Sequence, residues 1–122
     1  MFLIHKMDTS LTRGIEYVPA ENGEMGMILR PEGEGYVMAS EDSKPTHLAV
    51  GKLGETGNIP AIHLDEQIEL ETVTEADLTD IALGTLLKTD GNTVTAESGG
   101  HASLTYKEKQ TDGTWLCRVR FI

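Results

Sequence analysis

His63 and Asp65 stand two residues apart in the run IPAIHLD, so an extended backbone puts both side chains on one face. His47, in THLAV, has the right type to join them from a neighbouring strand. Two imidazoles and a carboxylate are the beginning of a zinc or iron site. A complete site needs a third and a fourth ligand, and His5, His47, His63 and His101 are each isolated, without the closely spaced histidines and downstream Glu of a cupin-like centre. No metal and no cofactor is expected. Ser, His and Asp all occur, yet no Gly-x-Ser-x-Gly elbow holds a serine on a strand-to-helix turn. Glu69 and Glu71 share a strand face, but a glycosidase pair needs a cleft walled by aromatics, and Trp115 is the sole tryptophan. Gly33-Glu34-Gly35 and Gly51-Lys52-Leu53-Gly54 lack the spacing of a phosphate loop, and neighbouring carboxylates oppose a phosphate. No catalytic constellation is expected. The enzyme alternative is a small β-barrel hydrolase using His63 and Asp65.

The elements that would position these residues are strands. Asp90-Gly91 divides LGTLLKT from NTVTAE, and Asp112-Gly113 divides HASLTYKEK from TWLCRVRFI. Asp-Gly between alternating segments predicts hairpins with type I′ turns. In the last segment Trp115, Cys117, Val119 and Phe121 alternate with Leu116, Arg118, Arg120 and Ile122. Upstream, IEYV (15–18), MGMILR (25–30), YVMA (36–39), THLAV (46–50), IPAIHL (59–64) and QIELETV (67–73) are bounded by Pro, Gly and Asn. That makes about nine short strands at sandwich or barrel spacing. TEADLTDIALG, with Thr74 as cap and Gly84 as stop, is the one helix candidate. The expected fold is all-β: a compact antiparallel β-sandwich or partly closed barrel with at most one short helix. Residues 14–122 are expected to form a single β domain, and 1–13, apolar at Phe2, Leu3 and Ile4 and then polar, an N-terminal arm, with an ordinary edge strand of the domain as the alternative for these residues. Ile68, Leu70, Leu86, Val94, Leu104, Tyr106, Trp115, Cys117, Val119 and Phe121 are predicted to be buried, with Glu69, Glu71, Arg118 and Arg120 outside.

Composition narrows the partners. The 122 residues carry a formal charge of −10, with acids gathered in 21–43 and 65–80. Such a surface repels phosphate, and no basic stripe interleaved with aromatics is present in the sequence, so no nucleic acid is expected as a partner. A single cysteine excludes an internal disulfide, and Cys117 alternates with core residues as a small buried side chain. The opening MFLI is broken at once by His5, Lys6 and Asp8, too short for a signal-peptide core or a membrane span. Synthesis in the cytoplasm as a soluble protein, no membrane association and no small-molecule substrate are the expectations.

Several segments in order resemble one family: EYVPA (16–20), Gly23-Glu24 leading into MILR, EGYVMAS (34–40), KPTHLAVG (44–51), IPAIHLDEQIELET (59–72), ALGTLLKTDGNTVTAE (82–97) and WLCRVRF (115–121). The series is similar to the small capsid decoration, or cement, proteins of tailed bacteriophages, over nearly the whole chain from residue 15. The departures are Gly26 within MGMILR and the acidic loop 74–80. The resemblance implies a non-enzymatic all-β domain that binds the outer surface of the mature icosahedral capsid. It would bridge major capsid protein subunits and self-associate there, as a trimer. Phe2, Leu3, Ile4, His5 and Lys6 are the expected capsid-binding residues, on an arm able to add a strand to a capsid edge. Another virion component, of the tail tube or the head–tail joint, is the structural alternative.

Overall fold

The computed structural model describes residues 1–7 and 14–122. Among them are eleven strands: β1 (Leu3–Lys6), β2 (Glu16–Pro19), β3 (Ile28–Glu32), β4 (Gly35–Met38), β5 (His47–Ala49), β6 (Asn58–His63), β7 (Glu69–Thr74), β8 (Leu86–Thr89), β9 (Val94–Ser98), β10 (Ala102–Lys109) and β11 (Trp115–Phe121). They form a six-stranded sheet in the order β1-β7-β11-β10-β8-β9 and a five-stranded sheet in the order β2-β6-β5-β3-β4. Every pairing is antiparallel, and the two sheets pack face to face as a sandwich.

Alternation decides which side chains meet between the sheets. From the six-stranded sheet come Leu70, Leu87, Val94, Leu104, Trp115, Cys117, Val119 and Phe121, and from the other come Ile28, Leu48 and Ile62. The five-stranded sheet has a second apolar cluster on its other face, made by Val18, Ala20, Met27, Leu29, Ala49, Ile59 and Ala61, with Tyr36 packed against it. That face is covered because the sheet curls. Its two edges, β2 and β4, approach where Gly35 comes against the Pro19 carbonyl, at 3.1 Å from the position of a β-carbon there. The curl stops short of a closed barrel.

Both Asp-Gly hairpins form, but by different turns from those expected. No non-glycine residue among those described has positive φ, so neither Asp occupies the left-handed region that type I′ demands. Asp112 Oδ1 instead accepts the Thr114 N–H at 3.0 Å and Oγ1 at 2.6 Å, and Gly113, at φ +89°, donates to the Gln110 carbonyl. This is a type I turn followed by a left-handed glycine, the three-residue alternative. Asp90 Oδ1 likewise accepts from the N–H groups of Asn92 and Thr93, leaving Gly91 to carry the positive φ. Each carboxylate bonds its own turn two residues on, and the glycine rather than the Asp takes the positive φ.

The helix candidate is a turn-rich loop, and no helix occurs among the described residues. Lys107 Nζ donates to the carbonyls of Leu78 and Thr79, at 2.7 and 3.0 Å, two acceptors that a continuing helix would have used. Thr74 Oγ1 does accept the Ala76 N–H at 3.1 Å, as a cap would, and it donates to the Val94 carbonyl at 2.7 Å, which ties the segment's start to the sheet. Two predicted core residues lie outside. Tyr106 is moved to the outer face by a bulge in β10 between Leu104 and Tyr106, which brings it opposite Arg118. Leu86 yields the inner position to Leu87, a parity that two adjacent leucines leave open. The other eight are buried.

The opening residues follow the edge-strand alternative rather than the arm. Leu3–Lys6 is an edge strand of the domain's own sheet, with Leu3 opposite Glu71 and Ile4 opposite Leu70. Phe2 is only 1% exposed, its ring edge-on to Phe121 with 5.9 Å between centroids. Residues 8–13, the remainder of that arm, lie outside the described residues.

Candidate functional site

Of the five residues expected to meet a partner, Phe2 is withdrawn into the core and Leu3, Ile4, His5 and Lys6 stay on the surface. Three bonds seat them. The Phe2 N–H donates to the Gly26 carbonyl at 2.8 Å, the Gly26 N–H donates to the Ala49 carbonyl at 2.8 Å, and Thr72 Oγ1 donates to the Met1 carbonyl at 3.0 Å. Gly26 sits at φ +87°, and a β-carbon there would run into the Met1 side chain. A glycine at this position is what lets the N-terminus lie against the sandwich.

The Phe2 N–H points away from β7, and strand alternation gives the Ile4 backbone the same direction. β1 therefore offers an open edge, with no strand beyond it among the described residues. Leu3 is 53% exposed and Ile4 40%. Beside them a groove of about 200 Å³ is lined by Met1, Leu3, Ile4, Met25, Leu48 and Val50. An apolar edge strand beside an apolar groove is suited to accepting another chain.

His5 is less free than its neighbours. Its Nε2 lies 3.7 Å from Glu69 and its Nδ1 3.6 Å from Glu71. Those carboxylates also meet the Nε atoms of Arg120, at 3.4 Å, and Arg118, at 2.9 Å, while the Arg118 guanidinium lies over the Tyr106 ring. Glu69, Glu71, Arg118 and Arg120, expected to be exposed, are half-buried by this cross-strand ladder. The two arginines are committed to it, so they do not form a free basic patch.

His47 and His63 do pair across β5 and β6, with ring centroids 5.1 Å apart. His47 is buried with both nitrogens engaged, Nδ1 to Thr46 Oγ1 at 2.8 Å and Nε2 to Glu16 at 3.2 Å. Asp65 accepts the Gln67 N–H at 2.8 Å and so shapes the turn before β7. The three do not share a ligand sphere, and no group of three or more His, Cys, Asp or Glu side chains among the described residues is arranged to hold a metal. Cys117 is buried, its Sγ donating to the Thr72 carbonyl, and burial together with the charge of Glu71 pushes its thiol up to about 12.

Sequence reasoning missed the surface at the start of β2, where Ile15, just before the strand, and Tyr17 stand out and Tyr17 is 71% exposed. Their spacing of two was the available signal, since the intervening Glu16 was assigned no face. Compared with family models, curated proteins and solved structures, the chain matches none.

Proposed function

We propose that this protein is a decoration protein of a tailed-phage head, binding the outer surface of the mature capsid and bridging its major capsid subunits. The observation that carries the proposal is the open β1 edge, with Leu3 and Ile4 exposed beside an apolar groove. It joins the segment order that resembles the cement proteins and an all-β sandwich suited to a rigid building block. An extended segment of a capsid subunit adds to β1 as a further strand, with main-chain bonds supplying affinity and the groove taking alternate side chains. Expansion of the shell exposes that segment, so the protein binds only the mature lattice. Many copies, each bound modestly, reinforce the shell collectively.

The magnitudes suit that role. Leu3 and Ile4 are each about half exposed, so covering them contributes roughly 1 kcal/mol apiece. Together they are worth about 2 kcal/mol, or ~30-fold in affinity per copy. The test is co-sedimentation of purified protein with expanded empty shells built from the capsid protein of the same genome. Wild type should saturate the shells, and a Leu3→Lys/Ile4→Lys variant should bind ~30-fold more weakly while melting within about 5 °C of wild type. Failure of wild type to bind expanded shells would refute the proposal. Ring formation by the isolated protein would favour the tail-tube or head–tail-joint alternative.

A further inference from the structure

We infer that the cleft along β4 is a second docking site, for an extended polypeptide segment carrying lysine or arginine side chains. This goes beyond the capsid proposal and does not rest on it. Past the contact of Gly35 with Pro19, the two edges of the five-stranded sheet part and leave a cleft of about 940 Å³. One wall is β4. The other is built by the turns at 20–23 and 55–57.

The hydrogen-bond register shows what β4 presents to that space. The Ala39 N–H donates to the Ile28 carbonyl, and Val37 and Gly35 face Arg30 and Glu32. Within an antiparallel ladder alternate residues bond to the same neighbour, so Gly35, Val37 and Ala39 face β3. Tyr36 and Met38 then turn their N–H and C=O groups the other way, into the cleft, with no backbone partner among the described residues. The absence of an N–H on Pro31, opposite Tyr36, agrees with this parity. An open strand edge selects an extended chain rather than a small molecule.

Charge selects the kind of chain. Leu29 and Tyr36 give the cleft an apolar floor continuous with the second core cluster. Its rim holds Glu21, Glu32, Glu34 and Glu55, all exposed, and the ion pair of Glu32 with Arg30 at 3.5 Å leaves the rim strongly negative. Four carboxylates repel a phosphodiester or an acidic peptide and favour a cationic strand, while the floor takes its apolar side chains.

An acetylated, amidated peptide of alternating lysine and valine is the probe, with the glutamate–valine peptide as its counterpart and amide chemical shifts as the readout. No shell is present, so the result stands apart from the capsid proposal. The lysine peptide should shift and protect the amides of Tyr36 and Met38, and the glutamate peptide should leave them unmoved. A Glu32→Gln/Glu34→Gln/Glu55→Gln variant should bind about tenfold more weakly. Met38→Pro, which removes an outward N–H, should abolish binding. If that variant does not fold, a lysine peptide methylated on alternate amides replaces it and should not bind. Equal binding of both peptides, shifts that spare residues 35–38, or full binding by the Gln variant would overturn the inference.

Discussion

Phe2→Ala separates a strand from an arm more sharply than any other substitution. Phe2 is fully buried, packs edge-on against Phe121 at 5.9 Å, and holds the start of β1 through its N–H bond to Gly26. Truncating such a phenylalanine costs about 3–5 kcal/mol, the edge-on ring contact included. A domain of this size has a total stability of roughly 5–15 kcal/mol, so the loss is a large fraction of it. With an unfolding entropy of about 2.1 cal/mol/K per residue, 122 residues give roughly 0.26 kcal/mol/K. The expected fall in Tm is therefore ~12–20 °C. Differential scanning calorimetry of the free protein measures it directly. Leu3→Ala, one residue along but facing water, is the control and should move Tm by less than about 4 °C. A Phe2→Ala protein melting within about 2 °C of wild type would refute the reasoning, because residues 1–6 would then contribute nothing to the domain.

Cys117 should resist thiol reagents in the native protein at pH ~8 and react only as the chain unfolds, since burial raises its thiol to about 12 and keeps the reagent out. Labelling with a chromogenic disulfide within seconds in native buffer would contradict its placement. Acid should weaken the turns at 77–79 and 112–114. Hydrogen bonds from the Thr79 and Thr114 hydroxyls, and then from their N–H groups, hold the Asp77 and Asp112 carboxyls below the ordinary 3.8. Their stabilisation is complete above the unfolded value, about pH 4, and is lost as pH falls through the lowered folded values. Urea midpoints measured downward from pH ~5 should fall more steeply for wild type than for an Asp77→Asn/Asp112→Asn variant, and parallel curves would contradict the assignment.

Much of the sheet structure was legible because its signals are local. β2 through β11 each grow from a predicted segment, and β11 keeps its alternation from Trp115 to Phe121. The failures lie where a distant group outvotes the local pattern. Leu78 and Thr79 have a helix's neighbours in sequence, but Lys107 takes their carbonyls from 28 or 29 residues away. Tyr106 follows the alternation of β10 until a bulge reverses it. Phe2, Leu3 and Ile4 have the sequence pattern of an arm because no turn residue follows them closely. The partner that seats them, Gly26, is identified only by the position of β5 behind it.

The candidate surfaces divide in the same way. The β1 edge was visible as an apolar tetrad near the start of the chain, although its inner residue proves to be core and only the outer pair is free to bind. The cleft was not visible at all. Glu21, Glu32, Glu34 and Glu55 are spread over 35 residues of an acid-rich chain, and nothing in their spacing marks them as neighbours. They meet because the five-stranded sheet curls until Pro19 touches Gly35, and curl is a property of how strands pack rather than of any one strand. The same curl leaves β4 with an unpaired edge facing carboxylates instead of the lysines that usually guard such edges. Lysines there would repel a cationic segment, whereas glutamates deter the protein's own acidic surface and admit a basic strand. The sign of the charge on an open edge thus bears on which chain it will pair with, and here that sign is negative.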